Sequence, residues 1–121
     1  MSARKDRPAA RASAADRKVV LMRLLAEAEV HRLGIAPTGE DVLRLALWWQ
    51  REYAIEDPAQ FQAWLEFAGL DMDRFSTMMW RFSALTKLVH HYRAEIDEQL
   101  ADHLAVHSIH SFVAGGEHDR D

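Results

Sequence analysis

The sequence predicts an all-α fold, a compact bundle of about four to five helices with a long C-terminal helix. Two observations lead to this fold class. No stretch of four or more residues alternates apolar and polar side chains as a half-buried strand does, whereas apolar residues recur every three or four positions. The glycines and prolines that separate these periodic segments lie where helices would begin and end. A chain of 121 residues is expected to bury one core.

The first predicted helix begins near Asp16 and ends at Gly34, because Leu33-Gly34-Ile35 is typical of a helix that stops at a glycine cap. Its apolar residues recur at helical spacing. We therefore expect the following side chains to face the core: Val19, Val20, Leu24, Ala28 and His31.

The second predicted helix begins at Thr38, a residue type that caps helix N-termini, and runs to about Tyr53. Glu40 and Asp41 lie in its first turn, where negative charge interacts favourably with the helix dipole. The spacing places one apolar stripe towards the core: Val42, Leu45, Ala46, Trp49 and Tyr53.

A third, short helix is predicted to start at Asp57, with Asp57 as the N-cap, Pro58 in the first helical position and Gln60 completing a capping box. Gly69 is expected to end this helix as a second glycine cap. Its core stripe is expected to hold Phe61, Trp64, Leu65 and Ala68.

Asp71 is expected to cap a fourth helix, and no glycine or proline interrupts the chain from Met72 to Ala114. Because an unbroken helix of that length would be long for so small a domain, we expect a bend or break between His90 and Glu95. Steps of three or four predict its core face: Phe75, Met78, Met79, Phe82, Leu85, Val89, Tyr92 and Ile96.

These segments predict three regions along the chain. Residues 1–15 are expected to form a basic flexible arm, residues 16–113 a single helical domain and residues 114–121 a frayed tail. The first 18 residues carry a net charge of +4, so the remaining residues sum to −8 in a chain of net charge −4. An acidic body repels phosphates, and we therefore do not expect nucleic acid as a partner.

Composition excludes several classes of protein. Without cysteine the chain has no disulfide, no thiol nucleophile and no zinc site built on thiolates. Residues 1–18 contain no apolar run of the kind found in a signal peptide, and no segment approaches the roughly 18 apolar residues of a membrane span. We therefore expect a cytoplasmic protein without a membrane partner.

Three histidines, His103, His107 and His110, recur on one face of the predicted C-terminal helix. Either His103 with His107 or His107 with His110 could ligate an ion as a pair, but a zinc site needs further ligands from another helix. The H-E-x-x-H motif is absent. We expect neither a metal nor a cofactor, with His103 and His107 as the alternative metal ligands.

Sequence motifs of enzymes are absent as well. The chain has no G-x-S-x-G turn and no glycine-rich phosphate loop, so no catalytic residue is expected.

Trp48 and Trp80 are more informative about function, because both lie away from the core stripes of their helices. They belong to the core if their helices are buried on two sides, and mark a partner-binding surface if they are exposed. That surface is expected to comprise Arg44, Leu47, Trp48, Trp80, Lys87 and His91.

The order of caps and core residues also resembles that of a known family. The features are Leu33-Gly34-Ile35, Pro37-Thr38, Tyr53, Phe61 to Leu65 and Gly69-Leu70. Over residues 20–90 they resemble the helical region ahead of the isomerase domain in SurA-type chaperones and parvulin-type peptide-maturation proteins, and a similar segment of TfuA-like proteins. The resemblance implies a helical module that holds a peptide or a partner protein. A parvulin domain would need on the order of 90 further residues with strands, so no isomerase is expected.

We therefore expect a non-catalytic module that binds a peptide or a protein and acts as an accessory in peptide maturation or protein assembly. The main alternative is a small helical enzyme or ligand-binding protein with a pocket of histidine and aromatic residues. A third interpretation is a homodimer built on the fourth helix. An exposed apolar groove would favour binding, whereas polar residues that converge on an enclosed pocket would favour an enzyme.

Overall fold

The computed structural model describes residues 11–119, with side chains described for residues 11–115. Within this range it contains helices and no strand, which confirms the all-α fold. Residues 1–10 of the predicted arm and residues 120–121 of the predicted tail lie outside the described residues. The helices are α1 (Ala14–Leu33), α2 (Gly39–Glu52), α3 (Pro58–Ala68), α4 (Met72–His91), α5 (Arg93–His107) and α6 (Ile109–Asp119).

Helices α5 and α6 are separated only by Ser108 and together form the long C-terminal helix that the sequence predicts. The predicted break before this segment is confirmed, because α4 ends at His91 and α5 begins at Arg93. Tyr92 lies between them with φ −99° and ψ 22°, values outside the α-helical region.

The predicted N-caps are confirmed, but the capping box predicted for α3 is not formed, because among the described residues the side chain of Gln60 makes no hydrogen bond back to the Asp57 backbone. The hydroxyl of Thr38 accepts a hydrogen bond from the backbone N–H of Asp41 at 3.1 Å. The carboxylates of Asp57 and Asp71 cap α3 and α4 in the same way, at 3.1 Å and 2.8 Å from a backbone nitrogen of the first turn. These bonds satisfy N–H groups that the start of a helix leaves unpaired.

Helix α1 begins at Ala14, so the predicted boundary after residue 15 falls inside it. The cause is Ser13, whose hydroxyl accepts a hydrogen bond from the backbone N–H of Asp16 at 3.1 Å. The backbone N–H of Ser13 in turn donates to the Asp16 carboxylate at 2.8 Å, which completes a capping box and lowers the pKa of Asp16.

At the C-terminal end of the chain, α6 extends to Asp119, so it includes residues that the sequence assigned to the frayed tail.

Two glycines end helices as predicted. Gly34 follows α1 and Gly69 follows α3, and both have φ 71°, in the left-handed region. After each glycine, the backbone N–H of the next residue donates to a carbonyl in the last helical turn at 2.9 Å. This arrangement is the Schellman motif, which glycine adopts without the steric cost that a Cβ brings.

The described chain divides after Leu88 into two compact units, where the sequence predicted one helical domain over residues 16–113. The first unit holds α1, α2, α3 and most of α4. The second holds the end of α4 together with α5 and α6.

The core of the first unit is formed mainly by α2, α3 and α4. The rings of Phe61 and Phe75 meet edge to face at 5.0 Å, and Trp49 of α2 packs against Trp64 of α3 at 4.8 Å. The stripes predicted for these helices are thereby largely confirmed. The central buried residues of this core are Phe61, Leu65, Phe75 and Met79. Residues packed on them include Val42, Leu45, Ala46, Trp49, Trp64, Met78 and Phe82.

Helix α1 presents a different face to the core from the one that the sequence predicts. Ala26 and Val30 are its buried residues, whereas Val20, Leu24 and Ala28 are exposed. Apolar side chains occur on both sides of this helix, so their spacing alone does not select a face.

Two contacts join α1 to α4. The ring of His31 stacks on that of Trp80 with centroids 5.6 Å apart, and the guanidinium carbon of Arg23 lies 4.2 Å from the centroid of the Phe82 ring. His31 was predicted to face the core but is exposed. Its ring covers Trp80 from outside instead.

Three further residues predicted for the core are exposed. Tyr53 is the C-cap residue that follows α2, and its ring packs against that of Trp49 at 4.9 Å between centroids. Val89 and Ile96 belong to the second unit, where none of the described side chains of residues 89–115 is buried. A helix without a buried face leaves its apolar residues in contact with water.

Replacing Gly34 or Gly69 with alanine is expected to lower the free energy of unfolding by about 1 kcal/mol, because alanine is strained at positive φ. A Cβ at Gly34 would meet no atom within 4 Å, so the cost there is conformational rather than steric. Chemical denaturation measures the change. Gly39→Ala is the matched control, because Gly39 lies in the first turn of α2 without a positive φ and is also open. A neutral result at both cap glycines would contradict the expectation.

Candidate functional site

An open cleft between α2 and α4 is the candidate site of the first unit. Its volume is about 460 Å³, within the range of ligand-binding pockets. Charged and hydroxyl side chains lie around one exposed indole ring. The lining includes Asp41, Arg44, Trp48, Arg51, Ser83 and Lys87.

Asp41 connects the two helices that form the cleft. Its carboxylate accepts a hydrogen bond from the backbone N–H of Thr38 at 2.9 Å and lies 3.1 Å from the Nζ atom of Lys87. These two interactions, the backbone bond first, lower the pKa of Asp41 to about 2. The carboxylate is therefore ionised at neutral pH, and it ties the start of α2 to α4.

The cleft carries a net positive charge. Three cationic side chains, Arg44, Arg51 and Lys87, face one carboxylate. Arg44 pairs with Asp41 at 3.6 Å and with Glu40 at 3.8 Å. Among the described residues Arg51 forms no ion pair. This local charge contrasts with the acidic composition of the chain beyond its first 18 residues.

Trp48 forms an apolar wall of the cleft. Its side chain is 49% exposed, although indole rings are more often buried. The neighbouring Trp49 points into the core, because consecutive helical residues project about 100° apart. A partner that covers Trp48 would remove a large apolar surface from water.

The structure brings three of the predicted surface residues together: Arg44, Trp48 and Lys87 line the cleft. Leu47 is exposed on α2 but is not part of the lining. Trp80 is half-buried beneath His31 and also lies outside the lining.

The last predicted surface residue, His91, belongs to the second unit, where its ring meets that of Tyr92 edge-on at 4.7 Å.

The sequence did not identify Arg51 as a residue of the cleft, nor Asp41 as the residue that connects its two helices. Helical spacing could have indicated Arg51, since it lies one turn after Trp48 and two turns after Arg44.

The histidines of the C-terminal helix lie on an exposed surface. The rings of His103 and His107 are 4.4 Å apart and those of His107 and His110 are 6.2 Å apart, between centroids. Over the described residues, no group of three or more His, Asp or Glu side chains is placed to hold a metal ion. The ring contacts therefore belong to neighbouring turns of one helical face.

Among the helices of residues 11–119, none combines the length and the apolar character that crossing a membrane requires.

No protein-family model, curated protein or solved structure matches the chain. The likeness to SurA-type, parvulin-type and TfuA-like proteins thus stays a prediction.

Asp41→Asn is expected to lower the melting temperature at pH 7, because it removes a carboxylate that the folded state stabilises. The pKa of this group falls from 3.8 to about 2 on folding, so its contribution is complete above pH 3.8 and is lost as the pH falls through about 2. Thermal melts from pH 2 to pH 7 should show the difference from the native chain shrinking over that interval.

Glu40→Gln is the matched control for this substitution. Its side chain is adjacent in sequence but 83% exposed, with a longer ion pair, and exposed pairs contribute little to stability. A deficit of Asp41→Asn that is the same at pH 2 and pH 7, or an equal deficit of Glu40→Gln, would contradict the assignment.

Proposed function

We propose that this protein is a non-catalytic helical module that binds a peptide or a segment of a partner protein in the cleft between α2 and α4. The observation that carries the proposal is the half-exposed Trp48 beside a set of cationic side chains in an open cleft. Aromatic residues supply large contact area at low entropic cost, which is why they dominate binding surfaces.

The lining favours a particular kind of segment. An apolar side chain of the partner would pack on Trp48, and a neighbouring acidic side chain would reach Arg51, which has no ion pair among the described residues. Arginine offers a planar fork of donors that matches a carboxylate. The open shape suits an extended or helical segment, whereas small-molecule pockets enclose most of their ligand.

A non-catalytic role is supported by the chemistry of the cleft. Its one carboxylate, Asp41, is bound to a helix N-terminus and to Lys87, and its lowered pKa makes it a weak base at neutral pH. Among the described lining residues there is no histidine that could activate the hydroxyl of Ser83. No specific observation favours the alternative of an enzyme with a histidine and aromatic pocket.

The cellular role that we propose is that of an accessory in peptide maturation or protein assembly in the cytoplasm. It rests on the resemblance of residues 20–90 to the helical regions of SurA-type and parvulin-type proteins. A peptide-holding cleft is compatible with that role, because such an accessory has to bind a segment of chain without transforming it.

Selection from a random peptide library tests the proposal, with the full chain as bait. Peptides that pair an acidic residue with an apolar or aromatic one are expected to be enriched. Trp48→Ala should weaken binding of an enriched peptide by about 1 to 3 kcal/mol, the range of moderate hot spots. Calorimetric titration measures the affinity, and circular dichroism verifies that the variant remains helical.

Leu43→Ala provides the matched control for the peptide titrations. Leu43 is a large exposed apolar residue on the same helix that does not line the cleft, so binding should be unchanged. Arg51→Gln should weaken acidic peptides and leave a neutral analogue unaffected. If no peptide is enriched, or if Trp48→Ala binds the enriched peptides as tightly as the native chain, the cleft is not a peptide site.

A further inference from the structure

The outward side of α1 carries an apolar stripe that the described part of the chain leaves in contact with water. At about 100° per residue, its members share an arc of about 140° on the side opposite the buried Ala26 and Val30. The members of this outward stripe, all exposed, are Val20, Leu21, Leu24, Leu25 and Ala28. Contiguous apolar patches are uncommon on proteins that stay monomeric, so the outward stripe marks an interaction surface.

Two apolar grooves border the outward stripe. One groove, of about 510 Å³, lies along the N-terminal half of the stripe and is lined by Val20 and Leu24. The other, of about 500 Å³, lies between α1 and the end of α4, where Leu25 lines it together with Leu85 and Leu88. A leucine ridge beside a groove can interlock with a second copy of the same surface, because the ridge of each copy enters a groove of the other.

The two ends of the outward stripe carry charges of opposite sign. Arg17 lines the groove at the N-terminal end, and Glu27 lies next to Ala28 at the C-terminal end. The two residues are about 15 Å apart along the helix axis. Among the described residues, neither forms an ion pair. A second α1 that runs in the opposite direction would bring Arg17 of each copy to Glu27 of the other.

We propose that the outward stripe is the contact between two copies of this chain, in which the two α1 helices pack antiparallel. Leu21 of each copy then packs on Leu24 of the other, close to the twofold axis. Every contact occurs twice, as in any twofold symmetric interface. Two pairs of Arg17 with Glu27 border the apolar contact, one at each end.

Charge favours the antiparallel arrangement over the parallel one. Arg17 shares the arc of the outward stripe, so a parallel pair would bring the Arg17 side chains of the two copies together and they would repel each other. Antiparallel packing replaces this repulsion with attraction to Glu27. It also places the positive end of each helix dipole beside the negative end of the other.

A membrane surface fits the outward stripe less well than a second copy does. Helices that lie on membranes carry lysine and arginine along the polar face. On α1, the polar residues beside the stripe include Asp16, Glu27 and Glu29, and Glu29 offsets the charge of Arg32 at 2.6 Å. The mixture of signs suits a protein surface that carries the complementary mixture, and the same helix in a second copy does so.

The proposed contact is independent of the peptide-binding function proposed for the cleft, because no residue of the outward stripe lines the cleft. Its size indicates a dimer that dissociates on dilution. Stable interfaces cover about 800 Å² on each partner, and one helical face with its grooves is smaller than that. We therefore expect a dissociation constant in the micromolar range.

Sedimentation equilibrium of the full chain tests the contact. Between chain concentrations of about 1 and 500 μM, the average mass is expected to rise from that of one chain to that of two. A chain that remains monomeric at about 500 μM would overturn the proposal. So would a monomer that binds phosphatidylglycerol vesicles and loses that binding on Leu24→Arg, because a membrane would then cover the face.

Leu24→Arg should raise the dissociation constant of the dimer at least about a hundredfold, because each copy would bring a cation into the apolar contact. The side chain of Leu24 is 53% exposed, so the fold of the single chain should tolerate the change, and circular dichroism verifies it. Leu43→Arg is the matched control, since Leu43 is 59% exposed on α2 and lines neither groove. A native dimer in Leu24→Arg, or an equal loss in Leu43→Arg, contradicts the proposal.

Reversal of charge tests the ends of the contact. Arg17→Glu and Glu27→Arg should each weaken the dimer about fivefold to tenfold, because each change turns two attractive pairs into repulsive ones. The double variant Arg17→Glu with Glu27→Arg should recover most of the native affinity. Arg74→Glu, at an exposed cation of α4 outside both grooves, is the matched control and should dimerise normally. A double variant as weak as the single ones would exclude the antiparallel pairing.

Disulfide formation measures the direction of the helices. The chain has no cysteine, so an introduced thiol reports on one position alone. When Arg17→Cys and Ala28→Cys chains are mixed and oxidised, the disulfide between the two variants should exceed either disulfide between identical chains. A majority of disulfides between identical chains would show parallel packing and overturn the proposal.

The dimer and the peptide cleft can fail separately. Trp48→Ala should dimerise as the native chain does, and Leu24→Arg should bind an enriched peptide with native affinity. Loss of dimerisation in Trp48→Ala would place the contact at the cleft and not at the outward stripe, which would also overturn the proposal.

Discussion

The ring contacts between Trp49, Trp64 and Phe75 are the interaction on which the rest of the first unit depends. They lie 4.8, 5.5 and 6.0 Å apart between centroids, and each ring comes from a different helix. Aromatic pairs of this kind contribute about 0.5 to 1.5 kcal/mol beyond the area that they bury. By turning the Trp49 side of α2 inward, the cluster leaves Trp48 outside. The cleft is a geometric consequence of the core.

Helix α4 contributes to the core, to the cleft and to the contact with α1. Phe75 and Met79 enter the aromatic core, Lys87 reaches the cleft and the ring of Trp80 stacks on that of His31. One helix can serve these purposes because residues around its circumference face different neighbours. The attachment of α1 is lighter, since its buried residues are two small side chains, and most of its other apolar residues are exposed. Contacts at the edges, such as His31 on Trp80, therefore help to set its position.

Local features of the fold could be predicted from the sequence, and features that depend on a second helix could not. The caps at Thr38 and Gly34 depend on hydrogen bonds and dihedral angles within a few residues, so residue type was sufficient to identify them. The inward face of α1 was predicted wrongly, because apolar residues surround that helix and their spacing alone does not select one face. Tyr53 was assigned to the core by spacing, although it follows the end of α2 and stays exposed.

The candidate site was predictable to a similar degree. Arg44 and Trp48 share the outer side of α2, so spacing along one helix was enough to place them together. Whether Trp80 and Lys87 approach Trp48 is decided by how α4 packs on α2, and only Lys87 does so.

Binding in the cleft would depend on the apolar ring as well as on charge. Asp41 already pairs with Lys87 and Arg44, so a ligand would gain only part of the electrostatic attraction and would depend on contact with Trp48. Exposed electrostatic attraction is screened by salt, whereas burial of apolar surface is not. Contact with Trp48 is therefore the part of the binding free energy that an increase in salt would leave in place.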